Sequence, residues 1–186
     1  MSQAKTLTEK ELKKVLLYIS LHKHASRNRA MLLLTHLSGM RVGEVAALRI
    51  GDVVAADGSI KSELRLLPEQ TKGRHARTVF VAERLRGELA VYTATLKSPR
   101  FDRPLFYTQK RAGFTANTLC QYFHHLYKKV GIDGATGHSG RRTFITTLAN
   151  KGVRVLMALA GHRNIGTTQA YINVNDALQT VAVELV

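Results

Sequence analysis

Residues 53–82 read VVAADGSIKSELRLLPEQTKGRHARTVFVA, and this stretch decides the fold class. β-Branched and apolar residues gather here in short clusters, separated by turn signals at Asp57-Gly58 and Lys72-Gly73. The pattern predicts a small antiparallel sheet of two or three strands. Everything around it has helical period. Upstream, Thr8 and Glu11 form a capping box, and Leu12, Val15, Leu16 and Ile19 follow at helical spacing. A second helix is predicted from about Ser26 through AMLLLTHLS to a stop at Gly39, then a short amphipathic helix and a turn in RVGEVAALRIGDV.

Downstream, helical patterning returns over about 83–97 and is broken at Ser98-Pro99; residues 101–113 look irregular, with a short hairpin or bulge. Further helices are predicted over about 115–130, ending at Gly131, and over 139–151, 153–160 and 166–174, punctuated by Gly152 and Gly161. The expected architecture is mainly α with a small antiparallel sheet, an α+β fold in one domain spanning 1–186. A tail from about 175 keeps Leu178, Val181, Ala182 and Leu185 on one face.

Bulk properties narrow the function. A chain of 186 residues, 45% hydrophobic and 22% charged, has the composition of a soluble globular protein with one core. It holds no apolar run long enough to span a membrane, and its first residues lack the apolar core of a signal peptide, so a cytoplasmic setting is expected. One cysteine, Cys120, fits a reducing compartment and reads as a buried structural thiol. Lys and Arg number 28 against 13 acids, a formal charge of +15. Such a field attracts polyanions, nucleic acid first and an anionic membrane second. Charge alone explains only non-specific phosphate contacts.

Several chemistries lack their motifs. There is no GxxxxGK[ST] loop, no HExxH and no CxxC pair. His124 and His125 are adjacent, so they point to different sides of a helix and make a poor metal site. Work on phosphates is therefore expected to proceed without metal or ATP, with no cofactor. Metal-free phosphodiester transfer needs a nucleophile, fixed cations for the non-bridging oxygens and a proton donor for the departing alkoxide. Arginine suits the second task because its planar fork grips two phosphate oxygens. Tyrosine suits the first when the bond must be stored, since a phenol leaves more readily than an alcohol.

Four blocks carry such a set. SGMRVGEVAALRIGDV places Arg41 at a helix entry after Gly39; TKGRHARTVFV places Lys72 on a turn between two strands. GHSGRRTF sets His138 and Arg141 three apart, on one face of a helical turn. LAGHRNIGTTQAYINV puts His162 after a helix stop and Tyr171 nine residues later. In order and spacing these blocks resemble the phage-integrase family, the tyrosine recombinases, whose signature runs Arg, Lys, His-x-x-Arg, Gly-His, Tyr.

That resemblance implies a site-specific DNA recombinase that cuts and rejoins strands through a covalent 3′-phosphotyrosine. Arg41 and Arg141 would clamp the scissile phosphate and His162 would donate a hydrogen bond to it. Lys72 would protonate the departing 5′-oxygen, His138 would assist proton transfer at Tyr171, and Tyr171 would be the nucleophile. Glu44 would hold the first catalytic region by accepting hydrogen bonds. Arg74, Arg77, Arg142, Arg154 and Arg163 read as DNA-backbone contacts, against the plainer reading of solvated surface. The implied partners are double-stranded DNA with a specific site and further protomers, as a tetramer on DNA, with no membrane.

Two departures from the family stand out. The segment LTEKEL, which usually opens the catalytic domain, begins at residue 7, so no separate N-terminal core-binding domain is expected. The chain reads either as an excised domain or as a small single-domain recombinase of the kind that inverts fimbrial switches. The block HSGRR has Gly140 where many relatives carry leucine, which is expected to loosen that turn. The tail either docks on a neighbouring protomer, the reading favoured slightly, or folds back on its own core. Other functions kept open are a type IB-like topoisomerase and a DNA-binding accessory protein with an idle site.

Overall fold

The protein is described by a computed structural model covering residues 4–97, 100–108, 113–150 and 183, without the side chains of 149 and 150. Its first helix, α1 (Glu9–Ser20), starts where the capping box puts it: the Glu11 amide donates to Thr8 Oγ1, and the Thr8 amide to Glu11 Oε2. Val15, Leu16 and Ile19 are its buried face. Helix α2 (Ala25–Leu37) is buried along most of its length, so it forms the central rod of the core. Around it pack α1, α3 (Val42–Ala47), α5 (Glu83–Thr93) and α7 (Ser139–Asn150). The α2 run Ala30–Leu34 is apolar on every side and must be enclosed in this way.

After α3 the chain makes one further turn, α4 (Ile50–Val53), and enters the sheet. Among the described residues two strands form, β1 (Glu63–Leu66) and β2 (Arg77–Phe80), antiparallel, with Glu63 opposite Phe80 and Leu66 opposite Arg77. Leu64 and Val79 face the core, as period-two alternation requires. A third strand does not develop: Val54 and Ile60 make only an isolated bridge across the Asp57-Gly58 turn. The connection from β1 to β2 begins with a 3-10 turn, Pro68–Gln70. Its left-handed residue is Arg74, at φ 50°, rather than Gly73.

Helix α5 ends at Thr93, earlier than the pattern suggests. There the hydroxyls of Thr93 and Thr95 donate to the carbonyls of Ala90 and Tyr92, competing for the last turn. Residues 101–105 cross back over the α3–α4 elbow through the Arg49–Pro104 bridge, and Tyr107 and Gly113 bridge to each other. Helix α6 (Ala116–Val130) runs from the Thr115 cap to Gly131 and packs on α3. The helices expected at 153–160 and 166–174 lie outside the described residues. From the tail, Val183 is buried in a small cluster with Phe80, Ala82, Phe144 and Leu148.

Two glycines set how α7 meets the rest. Gly39 takes φ +63°, and a Cβ there would stand 2.5 Å from the Phe144 ring. Gly140 has no room for a side chain either: a Cβ would overlap Thr35 Oγ1 and lie 2.7 Å from Thr35 Cβ. The glycine therefore does not loosen its turn. It lets α7 lie directly against α2.

Candidate active site

Arg41 is the N-cap of α3, and the site is built outward from it. Glu44, three residues on, reaches back to accept from the Arg41 amide at 2.8 Å and from its guanidinium at 3.0 Å. The same carboxylate takes two bonds from Arg77 on β2, Nη2 to Oε2 at 2.6 Å and Nε to Oε1 at 3.2 Å. Glu44 is only 1% exposed, Arg77 14% and Arg41 32%. Burial pushes the Glu44 carboxyl up, but the hydrogen bond and charge of Arg77, followed by the Arg41 bonds, outweigh it and hold the group below its ordinary value.

Arg141, in the first turn of α7, is buried and donates to the Gly39 carbonyl at 2.6 Å. This bond joins the HxxR block to the Arg41 block across 102 residues. Burial, then the like charges of Arg41 and Arg77, push the Arg141 guanidinium down to about 10, with Glu44 opposing. It remains charged at neutral pH. Three guanidiniums thus act around one carboxylate, leaving a positive excess partly shielded from water. A phosphate diester is the kind of anion such a place attracts.

Beside this cluster opens a cleft of about 500 Å³. Arg41, Glu44, Lys72 and His138 line it, together with Gln70, Asn117 and Cys120. Lys72 is exposed on the β1–β2 connection, and His138 is exposed just before α7. His138 and Arg141 therefore flank the start of α7 in different settings, one at the cleft and one in the core. Cys120 is half-buried and faces the cleft, so it is not the enclosed core thiol expected from its apolar surroundings. Arg74 is exposed on the Lys72 loop, whereas Arg142 is half-buried on α7. His162, Tyr171, Arg154 and Arg163 lie outside the described residues.

Two contributions escaped the sequence reading. The sequence reads Arg77 as a DNA-backbone contact, and in the structure its fork engages Glu44. Gln70 belongs to no motif, and it ties the Lys72 loop to the α3–α4 elbow. No local motif announces either, because both partners are distant in sequence. Among the other tyrosines, Tyr92 and Tyr127 are core residues, and Tyr92 Oη donates to the Leu105 carbonyl at 2.7 Å. Burial pushes the phenols of Tyr92 and Tyr122 up to about 12, and that of Tyr127 upward as well, so each is a poor nucleophile at neutral pH.

Comparison with known proteins gives one consistent result. The sequence profile described as "Phage integrase family" matches residues 5–177. Tyrosine recombinase XerA of Pyrococcus horikoshii is 30% identical over 98% of this chain and 61% of its own. Transposase A from transposon Tn554 of Staphylococcus aureus is 26% identical over 94% of this chain and 50% of its own. The crystal structure of XerA recombinase superposes with a TM-score of 0.71 at 28% identity, covering 96% of this chain and 64% of that one. The integrase from mycobacterium phage Brujita shares the fold, with a TM-score of 0.72 at 20% identity over 100% of this chain and 58% of that one. The chain thus spans about three fifths of the length of the XerA sequence it matches. Among the described residues, no helix is long and apolar enough to cross a membrane.

Proposed function

Because the chain belongs to the phage integrase family, we propose that it breaks and rejoins duplex DNA through a covalent tyrosine intermediate, as a site-specific recombinase. One observation carries this reading: a single cleft gathers Arg41, Lys72 and His138 around Glu44, with Arg141 anchored to the carbonyl of Gly39 beside it.

In this mechanism Arg41 and Arg141 grip the non-bridging oxygens, and His162 adds a hydrogen bond. The Tyr171 oxygen forms a bond to phosphorus while the bond from phosphorus to the 5′-oxygen breaks. The phenolic proton passes to His138, and the Lys72 ammonium gives a proton to the departing 5′-oxygen. Charge builds on the phosphoryl oxygens and is met by fixed cations that need no reorganisation. A 5′-hydroxyl from a partner duplex reverses the step, and two rounds through a Holliday junction exchange both strand pairs. Four protomers on paired sites supply the active tyrosines, and the work is done at the nucleoid in the cytoplasm. Of residues 175–186, Val183 packs on its own chain's cluster of Phe80, Ala82, Phe144 and Leu148, which supports a tail folded back on its own core over one docked on a neighbouring protomer.

The test uses nicked suicide duplexes from a randomised pool, without metal or ATP. Covalent protein–DNA adducts that form with the wild-type chain and vanish in Tyr171→Phe support the reading. Retained binding with no adduct from any duplex overturns it in favour of an idle site. Relaxation of supercoiled plasmid with no preferred sequence among the adducts overturns recombination in favour of a topoisomerase.

A further inference from the structure

Lys72 lies in a ten-residue connection between β1 and β2, residues 67–76. An exposed lysine on such a loop has no fixed place unless the loop itself is held. The hold is at Gln70, two residues earlier. Its amide nitrogen donates to Asp52 Oδ2 at 2.6 Å and to the Ala47 carbonyl at 3.2 Å. Its amide oxygen accepts from the Leu67 amide at 2.8 Å. Both ends of the side chain are therefore engaged, and the donor end grips the last residue of α3 and Asp52 of α4. Asp52 is itself fixed, since Oδ2 also accepts from the Arg49 amide at 2.8 Å. Across Lys72, Thr71 Oγ1 closes the loop by accepting from the His75 amide at 3.1 Å and donating to the His75 carbonyl at 2.9 Å.

The consequence is geometric. Arg41 begins α3, Ala47 ends it, and Gln70 joins that end to the loop carrying Lys72. We propose that Gln70 is a positioning residue that sets the Lys72 ammonium relative to the Arg41 clamp, so that the proton donor meets the 5′-oxygen of the clamped phosphate. The inference rests on the reading of Lys72 as the leaving-group acid. General acid assistance contributes about 10²–10⁴ in rate, and a displacement of about 1 Å can forfeit about 10² of such a contribution.

The experiment replaces the scissile 5′-bridging oxygen by sulfur in a duplex captured as above. A thiolate, with a conjugate acid near pKa about 8.5, departs without being protonated, whereas an alkoxide does not. Gln70→Ala is expected to slow cleavage of the ordinary phosphodiester by about 10- to 100-fold. On the sulfur-bridged duplex it is expected to cleave within about threefold of wild type, with unchanged DNA affinity. Gln70→Glu keeps the acceptor for Leu67 but sets a carboxylate against Asp52, and should show the same selective defect. Lys72→Ala is the reference. If Lys72→Ala is rescued by sulfur and Gln70→Ala is slowed equally on both duplexes, or on neither, Gln70 is only a structural tie and the proposal falls. If Lys72→Ala is not rescued, the acid reading of Lys72 falls, and the proposal with it. Cleavage of the sulfur-bridged duplex also reports that each variant has folded.

Discussion

Gly140→Ala sets two physical effects of opposite sign against each other. Helix propensity alone favours alanine in a helix by about 1 kcal/mol. Packing opposes it: the added methyl would overlap Thr35 Oγ1 and lie 2.7 Å from Thr35 Cβ and 2.8 Å from His36 Nδ1. Thr35 and His36 are buried on α2, and a Cβ cannot swing away as the end of a flexible chain can. Relief therefore requires α7 to move off α2, and overpacking of this kind costs about 1–3 kcal/mol, at the upper end for a contact so short. The net expectation is destabilisation by about 1–2 kcal/mol, or a fall in Tm of about 2–8 °C for a domain of this size. Arg141 follows Gly140 directly, so the same movement draws its guanidinium from the Gly39 carbonyl and should slow DNA cleavage. Urea denaturation followed by circular dichroism measures the first effect, with an unchanged m-value marking a change in stability alone. Thr35→Ala removes the hydroxyl half of the overlap, so the double variant should recover about 0.5 kcal/mol or more beyond additivity. A Gly140→Ala protein more stable than wild type would refute the close approach of α7 to α2.

Other variants probe the charge cluster and its surroundings. Glu44→Ala leaves Arg41 and Arg77 without their shared carboxylate and should cost about 3 kcal/mol in thermal or urea unfolding, since a broken buried pair leaves uncompensated charge. Because Glu44 is held below its ordinary value, its contribution is present above the usual carboxylate range and lost as pH falls through the folded value, so Glu44→Gln should flatten the acid limb there. His36 acts at higher pH: burial pushes its imidazole down to about 4 from 6.5, against the Leu32 carbonyl bond. The unfolded chain takes up this proton first, so about 3 kcal/mol of stability should drain away between pH 6.5 and 4, and His36→Gln should remove that slope. Gly39→Ala forces an L-residue to φ +63° against Phe144 and should destabilise by about 2–4 kcal/mol, measured by urea midpoint. Arg74→Gly relieves a left-handed backbone and should not lower Tm; in a salt titration of DNA binding it should reduce the log–log slope by about 1, and an unchanged slope would return Arg74 to plain solvated surface.

The legible parts of this fold are the short-range ones. Thr8 with Glu11, and Thr115 with Gly131, mark their helices because a cap and its partner sit three or four residues apart or at the helix end. The sheet was readable from its alternation and turns, yet the number of strands was not. Whether Val54 and Ile60 extend into a ladder depends on what pairs with them, and only an isolated bridge forms. Within the site, residue types in order named Arg41, Lys72, His138 and Arg141 as a group to watch.

The sequence by itself therefore determined the helical periods, the caps, the family and the candidate chemistry, since all of these are encoded in neighbouring residues. Tertiary structure decided what those residues face. Glu44 meets Arg77 across 33 residues, Gln70 meets Asp52 across 18, and Arg141 meets Gly39 across 102. Gly140 is the sharpest case. Its backbone freedom, visible in the sequence, suggested looseness, but its missing side chain is what the close approach of two helices requires, and only the packed structure shows that approach.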